Sequence, residues 1–223
     1  MGYSLNFSVV WRNFDKLWGG LVLSLELAVV SLAIGVVIGL VLAVVHVSGG
    51  RFTRMAIAVY VEAFRNTPLI LLVYLVFYGL PQVVDLRYDA TTSFVATLSV
   101  YAGAYLVEVF RSGLEAIPRG QIDAGRAIGL TPAQRLFHVR LPAMIRITLP
   151  ALSNTFISLF KDTSVASVIA VPELTWGAQW INLNTFRIVE AYLMATAMYL
   201  ATGYVMLFSL RLVERRFRVG RNA

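Results

Sequence analysis

Residues 27–50 read LAVVSLAIGVVIGLVLAVVHVSGG, a stretch without Asp, Glu, Lys or Arg. A helix needs roughly 20 apolar residues to cross a bilayer, and this run meets that length. Ser31, Gly35, Gly39 and Ala43 recur within it at four-residue spacing. Small residues at that interval let two helix backbones approach closely in a membrane. Packing within the fold is the first reading of this face, and a dimer seam is the second. Working outward, further stretches free of the four charged types fall at 66–84, 90–107 and 191–210. Residues 147–172 are interrupted only by Lys161-Asp162. The expectation is five spans at 22–46, 56–80, 91–111, 147–171 and 190–211. Whole-chain composition agrees: of 223 residues 58% are apolar and 14% charged, against about 25% charged in soluble domains. That balance excludes a disordered chain and most soluble enzymes, and the absence of cysteine excludes a disulfide scaffold.

The net charge of +7 is informative through its placement. One side of the membrane receives Arg51 and Arg54, arginines 111, 119, 126, 135, 140 and 146, and arginines 211, 215, 216, 218 and 221. The other receives only Arg12, Lys16, Arg87 and Arg187. Basic residues favour the cytoplasmic side, so the N-terminus is expected outside and the C-terminus inside. The basic excess therefore calls for lipid contact, not nucleic acid. The opening residues are not an apolar run, so no cleavable signal is expected. Phe7, Val10, Trp11, Phe14, Leu17 and Trp18 instead recur at helical spacing. Residues 1–21 are read as an outer interfacial amphipathic segment, or as a terminus anchored by its tryptophans. A membrane domain over 22–217, with a cytoplasmic loop at 112–146, and a cytoplasmic tail at 218–223 complete the expected organisation.

Catalytic chemistry is missing. The two lysines, Lys16 and Lys161, lie in no G-x-x-x-x-G-K-[ST] loop, and no G-x-S-x-G or H-E-x-x-H occurs. His46 and His138 lack metal-ligand spacing. No enzyme activity, metal or cofactor is expected on this chain.

Polar residues inside the spans are the functional candidates. Glu62 and Arg65 stand at i,i+3, as do Glu108 and Arg111, spacings at which side chains pair on a helix face. Pro68 after Asn66-Thr67 predicts a kinked or broken span there, with carbonyls that protein or a wet cavity must satisfy. Lys161-Asp162-Thr163-Ser164 places charge near the middle of a span, where it is costly unless it faces a cavity or a partner. Lys161, Asp162, Thr163 and Ser164 with Asn66 and Thr67 are therefore read as lining a substrate pathway. Glu108 and Arg111 lie lower and could close it. A bracing role for Lys161 and Asp162 is the alternative. In the inner loop, Pro118 opens and Gly129 closes a short amphipathic helix, and Thr131-Pro132-Ala133-Gln134 has the pattern of a capping box. A second helix ending at Leu141-Pro142 is expected, the pair forming a knuckle that either docks a protein or rests on lipid headgroups.

These residues resemble the membrane permease subunits of bacterial binding-protein-dependent ABC importers, in particular the polar amino acid branch. The family's cytoplasmic E-A-A, three residues, G, nine residues, I-x-L-P stands here as Asp123-Ala124-Gly125, Gly129 and Val139-Arg140-Leu141-Pro142. Asp123, Gly125 and Val139 depart mildly from it. Glu62-x-x-Arg65-Asn66-Thr67-Pro68-Leu69, Glu108-x-x-Arg111-x-Gly113, Ile117-x-x-Gly120-Gln121 and Lys161-Asp162-Thr163-Ser164 match the amino acid branch. Leu72 stands where many relatives have a glutamine. The resemblance implies an all-α, five-span, type I ABC importer permease fold in the bacterial inner membrane. It implies a second permease subunit, identical or paralogous, and an extracytoplasmic binding protein delivering a polar or charged amino acid or an opine-like relative. It also implies separate ATPase subunits that hold the ATP, contacted through Gln121, Asp123, Ala124, Gly129, Leu141 and Pro142. An ion-coupled carrier or channel is the competing reading. It accounts for the intramembrane charges but not for the knuckle, and the inverted repeats common in carriers are not evident here. A non-transporting scaffold leaves Lys161-Asp162 unexplained.

Overall fold

A computed structural model describes residues 3–84 and 87–218. The predicted 218–223 tail, Arg218 apart, lies outside the described residues. The described residues are helical almost throughout: α1 (Ser8–Arg12), α2 (Phe14–Ser48), α3 (Arg51–Arg65), α4 (Leu69–Val84), α5 (Ala90–Glu115), α6 (Arg119–Ala127), α7 (Pro132–Ile169), α8 (Leu174–Thr185) and α9 (Ile188–Arg218). Four of them, α2, α5, α7 and α9, are long and apolar enough to cross a bilayer, and α3 and α4 reach that length and hydropathy only when counted together as one bent pair.

The quoted stretch forms the main seam of the fold. Ser31, Gly35, Gly39 and Ala43 are all buried, and α2 packs along α5 over most of its length. A Cβ added to Gly35 would stand 2.8 Å from Ala102 Cβ, and one added to Gly39 would stand 2.6 Å from Leu106 Cβ. The small residues thus set the interhelical distance within this chain, the first of the two expected roles.

Four boundaries differ from the sequence expectation. The first span starts at Phe14, not at residue 22, because the 1–21 stripe divides. Val10 and Leu17 are fully buried, while Trp11 and Trp18 point outward. Only α1, set off at Asn13, stands apart from the long helix.

The expected second span over 56–80 is two helices meeting at 101°, not one kinked helix. Pro68 has no N–H and takes an extended ψ of 131°, so the α3 hydrogen-bond ladder stops. The Asn66 side-chain amide donates back to Glu62 O at 3.0 Å beside the Asn66 backbone N–H, and the Thr67 hydroxyl donates to Ala63 O at 2.7 Å.

The second knuckle helix does not end at Leu141-Pro142 but continues into the fourth span as one rod, α7. A π-turn at Leu136–Arg140 widens the helix just before Pro142. That relieves the clash a proline ring makes with the carbonyl four residues back.

From Leu174 onward the expected interfacial segment at 172–180 is helical and belongs to α8, with Leu174, Gly177, Ala178 and Ile181 buried against α2 and α9. Glu173 caps α8 and is fully buried. Its carboxylate accepts from Thr175 N, Trp176 N and Tyr199 Oη at 2.7–2.9 Å, and from Ser24 Oγ at 3.4 Å. Burial pushes this carboxyl up to about 7, against the opposing pull of those donors. One side chain therefore ties α8 to α2 and α9. Near the start of α9, buried Glu190 accepts from Tyr3 Oη, Asn6 N and Arg187 Nη1, strapping the N-terminal residues to the bundle.

Candidate functional site: an intramembrane polar ladder and an exposed knuckle

The candidate pathway residues fall into three groups. Lys161 is exposed and lines a groove of about 580 Å³ between α7 and α9, with Asn154, Ser158, Thr196, Tyr199 and Tyr204. Asp162 is half-buried and lies within electrostatic reach of Tyr101 on α5. Among the described residues the two form no ion pair with each other. Thr163 is buried, and its hydroxyl donates to Phe160 O at 2.7 Å, so it lines no open surface. Ser164 is half-buried, and its carbonyl accepts from Ser167 Oγ.

The second group stands on α5. Tyr101, Tyr105, Glu108, Arg111 and Glu115 follow one another at three- and four-residue steps, which places them on one face. Tyr101 and Tyr105 join hydroxyls at 3.1 Å. The predicted Glu108–Arg111 pair forms at 2.7 Å, and Arg111 also holds Glu115 at 2.9 Å. The predicted Glu62–Arg65 pair does not form. Glu62 accepts from the Asn66 amide instead, and the Arg65 guanidinium lies 5.3 Å from the Tyr105 ring centroid. The break at Asn66-Thr67 and this ladder thus meet where α3 crosses α5. Neither Asn66 nor Thr67 lines the Lys161 groove. Tyr101, Tyr105 and Glu115 escaped the sequence reading, although their spacing from Glu108 and Arg111 was available to reveal them.

The third group is the knuckle. Gly129 takes φ +79°, where a residue with a Cβ is strained. Gly129 N donates to Arg126 O and Leu130 N to Gly125 O, closing α6. The capping box forms as read: Gln134 N to Thr131 Oγ1 at 3.3 Å, and Thr131 N to Gln134 Oε1 at 2.9 Å. Pro118 stands at the N-cap, one position before the expected first turn. Gln121, Asp123, Ala124, Gly129 and Pro142 are exposed, and Asp123 pairs with Arg126 at 3.0 Å. Leu141 instead packs with Ile122 into the inner core. Ile128 and Phe137 are 76% and 64% exposed.

Comparison with known proteins identifies the class. Residues 35–219 match the family described as the binding-protein-dependent transport system inner membrane component, and the chain belongs to that family. It is 36% identical over 206 residues to the probable glutamine ABC transporter permease protein GlnP of Bacillus subtilis (strain 168), covering 91% of this chain and 92% of that one. It is 35% identical over 213 residues to the octopine transport system permease protein OccM of Rhizobium radiobacter, covering 92% and 87%. A crystal structure of an amino acid ABC transporter with histidines superposes with a TM-score of 0.88 at 32% identity, covering 96% of this chain and all of the other. The MetNI methionine ABC transporter, at 22% identity and a TM-score of 0.77, shares the fold. The protein is an inner-membrane, multi-pass permease subunit with the type I importer fold, a transport component.

Proposed function

We propose that this permease forms the translocation pathway of an ATP-driven importer for a polar or charged amino acid or an opine-like relative. An extracytoplasmic binding protein delivers the substrate, and ATP is hydrolysed on separate ATPase subunits. The observation that carries this reading is the knuckle: the end of α6 and the capped start of α7 hold Ile128 out from the molecule beside a left-handed glycine. A secondary carrier has no use for such a surface. The N-terminus lies outside and the C-terminus in the cytoplasm, which puts the knuckle on the side where ATP is available. A second permease, identical or paralogous, covers the polar ladder of α5. Tyrosines, carboxylates and arginines on a spanning helix are costly against lipid and affordable against protein or water.

In the pathway, Lys161, Asp162 and Ser164 offer partners for a zwitterion, Asn66 and Thr67 contribute at the break in the expected second span, and Glu108–Arg111 closes the inner end. Thr163 contributes backbone placement only. Gln121, Asp123, Ala124 and Gly129 face the ATPase with Pro142, while Leu141 supports them from within. The test is uptake of labelled amino acids into proteoliposomes. Uptake should require ATP, the ATPase and the binding protein together. Gradient-driven uptake by the permease alone would refute the proposal in favour of a carrier.

A further inference from the structure

A pocket of about 300 Å³ lies between the end of α2 and the knuckle. Arg126 from α6, Arg135 and Arg140 from α7, and Ser48 from α2 line it, together with apolar Ile122 and Leu136. No carboxylate belongs to that lining. Asp123 holds one nitrogen of Arg126 at 3.0 Å. Arg135 gives one nitrogen to Leu130 O at 2.5 Å. A guanidinium carries five donors, so both retain several. Arg140 Nε is shielded from solvent and has no acceptor among the described residues. An unpaired buried donor in a native fold calls for an explanation, and a bound anion is one.

We propose that this pocket holds the phosphodiester of an anionic lipid. Two observations favour a lipid over a free anion. Ser48 is the last residue of a membrane-length helix, so the pocket mouth lies at the level where phosphates of the adjacent leaflet sit. The wall is half apolar, matching the junction of headgroup and acyl chain and offering nothing to inorganic phosphate. Guanidinium groups suit the ligand because they present forked donors to phosphate oxygens. A lipid held there bridges α2, α6 and α7, and so braces the knuckle against the first span. The inference rests on the chain being embedded in a membrane and is independent of the substrate carried.

The test is lipid retention, read by native mass spectrometry of the full chain extracted from vesicles of phosphatidylcholine and phosphatidylglycerol in equal parts. Wild type should retain phosphatidylglycerol selectively. The double variant Arg126→Gln with Arg140→Gln should lose roughly tenfold or more in occupancy, about the effect of one charge-assisted hydrogen bond. Arg215→Gln with Arg216→Gln removes the same charge from exposed positions on α9 and should leave retention unchanged. Ala133→Trp, which fills the mouth without touching an arginine, should also exclude the lipid and serves if the double variant fails to fold. Displacement of phosphatidylglycerol by inorganic phosphate would show a site for a soluble anion and overturn the lipid assignment. Equal losses in the pocket and α9 variants, or equal retention of phosphatidylcholine, would reduce the effect to diffuse charge and overturn the site.

Discussion

Replacing Ile128 by Ala should weaken ATPase binding without harming the permease. Ile128 is 76% exposed, so its side chain adds little to the fold of this chain. The substitution removes three carbon groups, worth about 0.8 kcal/mol each when buried. If docking buries the roughly three quarters now exposed, the loss is about 1.8 kcal/mol, or about twentyfold in the dissociation constant. Ile128→Val, losing one group, should cost about 0.6 kcal/mol, or threefold on the same scale. Affinity of the purified ATPase for the permease in nanodiscs, read by fluorescence titration, measures both, and a thermal melt of the permease alone should show no change. An Ile128→Ala permease that binds the ATPase as wild type does would refute the knuckle as the docking element. A lowered melting temperature would show that Ile128 packs within the permease, contrary to its exposure.

Other consequences follow from particular residues. A cysteine placed at exposed Leu183 should react with an impermeant thiol reagent from outside and one at Ala133 should not, against a background without native cysteine; reversed labelling would overturn the orientation drawn from arginine placement. Lys161→Met should leave the complex assembled while lowering uptake or changing substrate preference; unchanged transport kinetics would remove Lys161 from the pathway, and loss of assembly would make it a brace. Glu173 titrates near 7 in the fold against about 4.3 unfolded, so between those values the folded state holds the extra proton and stability falls as pH rises through the window. The full shift corresponds to at most about 4 kcal/mol. Glu173→Gln should flatten that dependence in thermal melts, and a parallel pH profile in both proteins would refute the assignment.

The features legible in sequence are those written locally. The glycine face of α2, the capping box at Thr131 and Gln134, the left-handed Gly129 and the Glu108–Arg111 pair each depend on residues within about one or two helical turns. What stayed hidden depends on distant partners. Arg65 leaves Glu62 for the ring of Tyr105, forty residues away in another helix. Glu173 finds Ser24 and Tyr199 only once α8 is folded between α2 and α9. Pro142 reads as a helix stop because a π-turn that absorbs it has no sequence mark. Pro68 marks the break in the expected second span, but its 101° sweep is set by how α3 and α4 each pack on α5. For the candidate site, the charged residues were visible as anomalies in apolar runs. Tyr101 and Tyr105 were not, since tyrosine is unremarkable in a membrane helix until its hydroxyl is seen paired.

The central claim is that ATP hydrolysed on a separate chain drives transport through the α6–α7 knuckle, and coupled turnover tests it most directly. ATP hydrolysis and amino acid uptake should be measured in the same proteoliposomes, with and without loaded binding protein, for wild type and for Gly129→Val. The variant places a β-branched side chain at φ +79°, a conformation that such residues rarely adopt, while open space surrounds the site. The account predicts that loaded binding protein stimulates hydrolysis and uptake together in wild type. It predicts that both responses disappear in a Gly129→Val permease that still inserts and folds. Stimulated hydrolysis and uptake at wild-type rates in that variant, or uptake that persists without hydrolysis, would contradict it.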